Sequence, residues 1–306
     1  MRQTHHVMAA TAAAVVLAGL SSCSADSAAT APSDKPVVAA AFFPIEELVR
    51  SVGGESVDIF TLVPPGQDAH DYEPTAQQVG KLQSAQVVFY LGDGFQPDVE
   101  KEIASLPDSV RKIDLLKSVT LLPVTDALPG TEGEVEGEVL TGGNDPHVWL
   151  DPRNMITMAK VVAATLGTDA TSYPNQLHDL DQSFSDGLAD CRSHVIVTSH
   201  RSFEYLSHRY GLTQIPIAGI SPTEEPSAKT LEAVARAATA NNVTTIYFEK
   251  GVPADLANTV ADEIGAGTAV LDPLESLSSD QTDAGASYIS VMTENLAALR
   301  DGLGCT

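Results

Sequence analysis

Three histidines of the sequence lie where a side chain could bind a metal ion. His70 lies in a loop with several Pro and Gly residues that follows a strand-like segment, and His200 directly follows the strand-like segment 195–199. His147 lies in the string Asp-Pro-His-Val-Trp-Leu-Asp-Pro. Neutral imidazole suits zinc, and three imidazoles with one carboxylate fill a tetrahedral shell. These residue types indicate a zinc site if the fold brings the three stretches together.

A carboxylate for this shell is offered by the segment after the last strand-like run. Residues 271–275 read Leu-Asp-Pro-Leu-Glu and contain both Asp272 and Glu275. In an open parallel sheet, ligands sit beyond the carboxyl ends of the strands, so these acids and the three histidines could face one crevice. Spacing alone does not choose between the two acids. The sequence assigns no role to the remaining histidines, which are His5, His6, His178, His194 and His208.

A secreted zinc hydrolase is the alternative from another functional class, because three histidines with an open fourth position can activate water. The sequence contains no H-E-x-x-H pair and no nucleophile elbow. Ser199 and His200 do not form a dyad, since neighbours on a strand point to opposite faces. We therefore expect a binding protein and not an enzyme.

Apolar patterns predict the elements that must position these residues. Strand-like runs alternate with segments of helical periodicity, which predicts βαβ units around parallel sheets. The runs are residues 37–41, 57–63, 86–91, 195–198, 244–248 and 268–271, and the helical segments include residues 45–52, 203–210, 229–240 and 292–303. The predicted organisation is an N-terminal α/β lobe over residues 37–151, linker helices over 152–190 and a C-terminal α/β lobe over 191–306.

The charge of the chain excludes some partners. There are 17 Lys and Arg against 41 Asp and Glu, which gives a net charge of -24 and predicts repulsion from nucleic acids and anionic lipid headgroups. Residues 129–145 are Gly-rich and contain four Glu at alternate positions. We interpret this stretch as a solvated surface loop without a specific role.

The N-terminus predicts export. Residues 1–22 read as a signal peptide, and its apolar run of residues 7–20 would span about 21 Å as a helix, which is short of the roughly 30 Å of a bilayer core. Cys23 directly follows Leu-Ser-Ser, which resembles a bacterial lipobox. Residues 23–36 then read as a lipidated tether. Membrane attachment through a lipid on Cys23 alone is the expectation.

Two cysteines remain after Cys23, namely Cys191 and Cys305. In an oxidising compartment they are expected to form one disulfide. Closing a loop of that length would stabilise the fold by about 4 to 5 kcal/mol in the chain-entropy model.

Five strings, in order along the chain, resemble the zinc and manganese solute-binding lipoproteins of ABC importers, the ZnuA-like family. The strings are residues 66–75, 145–152, 198–206, 247–249 and 271–275. The resemblance extends from about residue 37 to the C-terminus. It implies two α/β lobes with parallel-type sheets, joined by a long rigid helix, with one metal ion in the cleft between them.

The resemblance also implies a ligand set. His70 and His147 match the two histidines that the N-terminal lobe of these proteins supplies. His200 matches the third position, where manganese-binding relatives tend to carry a carboxylate, so it indicates the zinc branch. Glu275 matches the acid of the Pro-Leu-Glu string, Asp272 is the fallback, and water could also complete the shell. The His-rich loop common in zinc-binding relatives is absent, because the corresponding stretch has Glu and no His.

The implied function is extracytoplasmic capture of Zn²⁺ as a transported ligand. The partners would be an ABC importer permease and its ATPase, and the chain would act as a monomer at the outer face of the cell membrane. Manganese or iron binding on the same fold is the alternative. The sequence does not address adhesion, a role attributed to some relatives.

Overall fold

Two four-stranded parallel sheets form the framework of the computed structural model, which describes residues 35–124, 143–250 and 253–306. The N-terminal sheet has the order β2-β1-β3-β4. Its strands are Val37–Ala40 (β1), Asp58–Thr61 (β2), Val87–Tyr90 (β3) and Arg111–Asp114 (β4). Every pairing is parallel, as the alternation of strands and helices predicts.

Helices cover this sheet, and their ends follow from local sequence. They are Phe43–Gly53 (α1), Ala76–Ser84 (α2) and Pro97–Ser105 (α3). Helix α1 buries its apolar side chains at helical spacing and stops at Gly54, whose φ of 51° lies in the left-handed region. Helix α2 begins with a capping box between Thr75 and Gln78.

Two helices connect the halves of the chain. Helix Pro152–Leu166 (α4) is capped by the side chain of Asp151, and Gly167 ends it at a φ of 72°. Helix Ser172–Gly187 (α5) follows and buries one apolar face, as its pattern predicts. The connection that the family resemblance implies as one long helix therefore consists of two helices. Helix α4 packs against α1 and α5.

The second sheet repeats the arrangement of the first, with the order β6-β5-β7-β8 and parallel pairing throughout. Its strands are Val195–Thr198 (β5), Thr213–Pro216 (β6), Thr245–Phe248 (β7) and Gly267–Val270 (β8). Its helices are Glu204–Tyr210 (α6), Ala228–Ala240 (α7), Asp255–Ile264 (α8), Ser279–Asp283 (α9) and Tyr288–Leu303 (α10). Helix α10 packs back onto α5.

The predicted fold class, two α/β lobes with parallel sheets, is confirmed. A single apolar core extends from the N-terminal sheet through Trp149 to α10, and a smaller one lies around α7 and α8. The lobe boundaries at residues 151 and 191 stay a prediction, since the residues from Lys35 onward belong to one compact unit.

The disulfide expected between Cys191 and Cys305 is present. Cys191 lies shortly after the end of α5, and Cys305 lies two residues after α10 ends. The bridge therefore fixes the last helix to the connection between the lobes. With a sequence separation of 114 residues, it contributes about 4 to 5 kcal/mol in the chain-entropy model.

Several predictions concern residues outside the described ranges. They are the signal peptide, Cys23 with most of the tether, and most of the acidic loop. Within the described ranges, no helix combines the length and the apolar character that crossing a membrane requires.

Candidate metal centre

Four side chains from separate stretches of the chain converge in one place. His70 lies in the loop after β2, His200 comes two residues after β5, and Glu275 follows β8. His147 comes just before the helical turn Val148–Leu150, ahead of α4. One ligand atom from each side chain lies within 4.8 Å of the other three. Three of these stretches follow strands, which is where ligands of parallel sheets are held.

The spacing of these atoms suits a tetrahedral ion. Oε1 of Glu275 lies 3.0 Å from Nε2 of His200, 3.5 Å from Nε2 of His147 and 3.7 Å from Nε2 of His70. A tetrahedral zinc ion with bonds of about 2.0 to 2.1 Å separates its ligands by about 3.3 Å. The observed distances lie on both sides of that value, so small side-chain shifts would seat the ion.

The same atoms are buried and lack hydrogen-bond partners. Nε2 of each of the three histidines and Oε1 of Glu275 are enclosed without a protein partner of suitable geometry. Buried polar atoms are nearly always paired, and four unpaired ones that face each other indicate a common partner. A divalent cation would satisfy all four at once, and no other group in the described part of the chain does so.

His147 is fixed by its own motif. Oδ1 of Asp145 lies 2.8 Å from Nδ1 of the ring and also accepts the backbone N–H of His147 at 2.8 Å. A carboxylate on Nδ1 holds the proton there and leaves the Nε2 lone pair for a metal. The phenol of Tyr205 donates to the carbonyl of Asp145 at 3.0 Å, so α6 supports this turn.

His200 is fixed in the same way from a neighbouring strand. Glu249 directly follows β7, and its two carboxylate oxygens lie 2.7 and 2.8 Å from Nδ1 of His200. The backbone N–H of His200 also donates to this carboxylate at 3.1 Å. Both groups are buried. Glu249 therefore orients the ring with Nε2 toward Glu275.

His70 is positioned through its backbone. Asp68 accepts the backbone N–H of His70 at 2.7 Å, and the side-chain amide of Gln96 donates to the carbonyl of Ala69 at 2.9 Å. The ring of Phe95 meets the imidazole edge-on at 4.8 Å between centroids. Within the described ranges no residue hydrogen-bonds Nδ1 of His70. This imidazole lacks the carboxylate that anchors the other two.

Glu275 projects from an unusual turn. Leu274, which precedes it, has a φ of 57°, a left-handed conformation that costs an L-residue about 1 to 2 kcal/mol. Its side chain is fully buried, which contributes about 1.5 to 3 kcal/mol. Burial of the leucine thus offsets the backbone strain. The chain therefore adopts this left-handed turn at a leucine, although a glycine would fit the backbone better.

Several hydrogen bonds join the stretches that carry the four side chains. The indole of Trp149 donates to the carbonyl of Pro273 at 2.7 Å, and the phenol of Tyr288 donates to the carbonyl of Trp149 at 2.6 Å. Near His70, the backbone N–H of Gly66 donates to the carbonyl of Leu277 at 2.8 Å. The stretches on both sides of the cleft are therefore joined by hydrogen bonds that side chains and backbone groups donate to backbone carbonyls.

The electrostatics are those of a site that attracts cations. Burial opposes a charge on His147, but Asp145 outweighs it and raises the pKa of the ring. Burial is likewise outweighed at His200, where Glu249 and Glu275 raise the pKa well above its ordinary value. Burial would raise the pKa of Glu275, but the facing charge of His200 lowers it well below the ordinary range. A cation that binds here competes with protons for the rings of His147 and His200.

The space beside Glu275 limits what can be bound. A cavity of about 100 Å³ lies there, with Asp68, Lys250 and Ser276 in its lining. Pockets for organic ligands usually measure about 300 to 1,000 Å³. The arrangement thus suits a bare ion. Three imidazole nitrogens with one carboxylate oxygen match the donor set of zinc.

The structure brings together His70, His147, His200 and Glu275, the four side chains expected from the sequence. Asp272, the fallback ligand, is not a member of this group, because its carboxylate accepts hydrogen bonds from the backbone N–H of Leu274 and from the side-chain amide of Gln281. The histidines without an assigned role in the described ranges are exposed, namely His178, His194 and His208.

Sequence reasoning missed the carboxylates that hold the rings. Asp145 lies in the same string as His147, and Glu249 follows a predicted strand just as His200 does. Both signals were therefore visible. An acid two residues before a histidine is too common, however, to indicate an interaction by itself.

Comparison with known proteins agrees with this geometry. Residues 38–302 match the family model described as zinc-uptake complex component A, periplasmic (ZnuA). The chain is 35% identical over 276 residues to the zinc-binding lipoprotein AdcA of Streptococcus pneumoniae (strain ATCC BAA-255 / R6), with 85% of this chain and 54% of AdcA covered. It is 32% identical over 312 residues to the high-affinity zinc uptake system protein ZnuA of Bacillus subtilis (strain 168), with 94% of each covered.

The similarity extends to three dimensions. The crystal structure of the Zn(II)-bound ZnuA-like domain of Streptococcus pneumoniae AdcA superposes with a TM-score of 0.73 at 33% identity, covering 88% of this chain and 99% of that domain. The chain spans about half the length of the AdcA relatives but nearly all of the Bacillus subtilis protein. The likeness therefore covers the ZnuA-like part of AdcA.

Proposed function

We propose that this chain, which belongs to the ZnuA family of periplasmic zinc-uptake components, captures one zinc ion between its lobes and delivers it to an ABC importer. The observation that carries the proposal is the meeting of three unpaired imidazole nitrogens and one unpaired carboxylate oxygen in a buried site. Among the relatives, AdcA is named a zinc-binding lipoprotein and the Bacillus subtilis protein a zinc uptake protein.

Zinc is favoured over manganese by the donor set. Manganese prefers oxygen ligands, and Glu275 is the one oxygen donor among the four side chains. The buried carboxylates of Asp145 and Glu249 add negative charge behind the rings, which favours a dication over a monovalent ion. Manganese or iron import on the same fold is the outcome that metal analysis would reveal instead.

A catalytic role is disfavoured by the closed shell. A zinc hydrolase keeps one metal position open for water, whereas the four side chains proposed here would fill a tetrahedral shell. The cavity beside Glu275, of about 100 Å³, is also smaller than the pockets of about 300 to 1,000 Å³ that hold organic ligands. We therefore propose that the protein binds and releases its cargo without chemistry.

Location and partners follow from the same proposal. Cys23 would carry a lipid that holds the protein at the outer face of the membrane, and a permease with its ATPase would receive zinc from the monomer. Replacing Cys23 with Ala should release the protein into the medium. Unchanged membrane association of Cys23→Ala would contradict the lipid anchor without affecting the metal site.

The binding experiment uses the purified full chain, competing chelators and elemental analysis. We expect one zinc ion per chain and preference for zinc over manganese. His200→Ala should weaken zinc binding at least about 100-fold, because losing a ligand exceeds the 10- to 100-fold effect of an outer partner. His178→Ala, an exposed histidine of α5, is the matched control and should bind as wild type. Equal affinities of the two variants would contradict the proposal.

A further inference from the structure

The turn that carries Glu275 is held by hydrogen bonds to the side chain of its first residue, Asp272. Oδ1 of Asp272 accepts the backbone N–H of Leu274 at 2.8 Å, and Oδ2 accepts the side-chain amide of Gln281 at 2.8 Å. An aspartate that binds the backbone two residues ahead closes an Asx-turn. Here the bonded residue is Leu274, whose φ of 57° is unfavourable for a branched side chain.

The backbone of Asp272 is itself fixed by helix α10. Its N–H donates to Oδ1 of Asn295 at 2.8 Å, and its carbonyl accepts from Nδ2 of Asn295 at 2.7 Å. Gln281 belongs to α9, and all three side chains are buried. Asp272 therefore connects two helices of the C-terminal lobe to the turn before Glu275.

The other left-handed residues show why this support is needed. Within the described ranges, the non-glycine residues with positive φ are Asp93, Asn242 and Leu274. Asp and Asn tolerate this conformation because their short side chains can bond locally, whereas leucine cannot. Leu274 is therefore held by bonds from outside, and the Asp272 carboxylate supplies the one to its N–H group.

We propose that Asp272 is a positioning residue that holds the left-handed turn at Leu274 and so aims the Glu275 carboxylate at the three histidines. This inference rests on the proposed function, because it concerns the fourth zinc ligand. Without the Asp272 carboxylate, Leu274 would return to negative φ. The Cα–Cβ bond of Glu275 would then rotate away from the site, and the ion would keep three imidazoles only.

Substitutions at Asp272 separate positioning from direct ligation. Asp272→Ala removes the acceptor for the Leu274 N–H, and we expect its zinc affinity to fall at least about 100-fold, as far as in Glu275→Ala, because the ion loses its fourth ligand in both variants. Asp272→Asn keeps an oxygen for the Leu274 N–H but loses the acceptor for the Gln281 amide, and because the bond to Leu274 is the one that holds the turn we expect it to stay within about threefold of wild type. A ligand role would make both variants weak.

A double variant makes the test quantitative. If Asp272 acts only through Glu275, then Asp272→Ala adds no loss in a chain that already carries Glu275→Ala. The absorption spectrum of bound Co²⁺ gives a second readout, and that of Asp272→Ala should match Glu275→Ala while that of Asp272→Asn matches wild type. Asp280→Ala, an exposed acid of α9, is the control and should change neither readout.

The outcomes are distinguishable. Two results would overturn this inference and leave the proposed function intact. One is a double variant in which the two losses of zinc affinity multiply. The other is wild-type zinc affinity in Asp272→Ala while Glu275→Ala binds zinc weakly. Wild-type affinity in Glu275→Ala would overturn the ligand assignment and this inference together. If circular dichroism shows that Asp272→Ala does not fold, the test rests on Asp272→Asn. Weak zinc binding by Asp272→Asn would overturn the inference. Wild-type zinc affinity in Asp272→Asn, together with weak zinc binding by Glu275→Ala, would support it.

Discussion

The indole nitrogen of Trp149 donates a 2.7 Å hydrogen bond to the carbonyl oxygen of Pro273, across 124 residues of sequence. Trp149 lies two residues after His147, and Pro273 lies two residues before Glu275. The bond therefore joins the stretches that carry two of the four converging side chains. Their relative position is set by protein–protein contacts, which is the arrangement expected of a preorganised site.

Removing this bond should weaken both the fold and the site. Trp149→Phe keeps a large aromatic ring but leaves the Pro273 carbonyl buried and unpaired, which costs about 1 to 3 kcal/mol of unfolding free energy. We expect zinc affinity to fall about tenfold, equivalent to about 1.4 kcal/mol. Denaturant unfolding and chelator competition measure the two effects. Tyr247→Phe loses a buried hydroxyl remote from the site and should retain wild-type affinity.

Zinc binding should weaken as pH falls, beginning above the ordinary histidine pKa of about 6.5. The pKa values of His147 and His200 are raised in the structure, so protons occupy these rings at a higher pH than usual. Above the raised pKa values the rings are neutral and bind zinc without competition, and below them each proton must be displaced. Chelator competition from pH 8.5 to 5.5 measures this.

A charge variant tests the cause of that pH dependence. Glu249→Gln removes the negative charge beside His200, which lowers the pKa of the ring and should move the decline to lower pH. Affinity at high pH should also fall about 10-fold, since the ring loses its anchor. An affinity that stays flat between pH 7.5 and 5 in the wild-type protein would argue against imidazole ligands.

Asp181 of α5 should be a stability residue without a role in metal binding. It is buried, and it accepts hydrogen bonds from Arg153 at 2.8 Å and from two nitrogens of Arg209 at 2.9 Å. Asp181→Asn removes the charge that both arginines contact, and because Arg153 and Arg209 are partly exposed we expect the unfolding free energy at pH 7 to fall by about 1 kcal/mol. Zinc affinity should stay unchanged, and Asp179→Asn, exposed on the same helix, should change neither quantity.

The acid sensitivity of this network has a definite sign. Burial would raise the pKa of Asp181, but Arg153 and Arg209 outweigh it and lower the pKa. Its stabilising effect is therefore complete above the ordinary aspartate pKa of about 3.9 and disappears as pH falls through the lowered value. Unfolding curves of wild type and Asp181→Asn should approach each other only below that pH. A constant difference down to pH 2 would contradict the assignment.

Deleting residues 131–142 should leave zinc affinity within about twofold of wild type, because the stretch supplies no histidine and its flanks are joined without it. The N–H of Val124 donates to the carbonyl of Gly143 at 2.7 Å, and Pro123 and Asn144 form a β-bridge. Asp145 and His147 follow directly and keep their supports. Isothermal titration with zinc measures the effect, and a loss above tenfold would mean that the stretch takes part in the site.

Elements with a clear apolar pattern were predictable from the sequence, and elements without one were not. Strand β5 and helix α7 match their predicted ranges to within a residue, because apolar period and caps agree. Strand β4 was missed because only one of its four residues, Ile113, is apolar, and β6 because its Gln214 is buried through hydrogen bonds.

The residues that form the site were predictable from the sequence, but the residues that position them were not. Spacing left the three histidines and two acids as candidates, and the resemblance to a family selected Glu275. The role of Asp272 depends on Gln281 and Asn295, which lie 9 and 23 residues away in sequence. No periodic pattern encodes such a contact, so it becomes visible only when α9 and α10 are folded against the turn.

The disulfide between Cys191 and Cys305 affects how the zinc stoichiometry of the protein should be measured. While it is intact, the described part of the chain offers zinc no thiolate, the softest ligand a protein can present. Reduction of the disulfide, with the reductant removed before zinc is added, would free two sulfur donors outside the group of histidines. The zinc stoichiometry measured after such reduction should exceed one ion per chain. The excess would be zinc bound to the freed cysteines, and it would say nothing about the zinc that the protein transports.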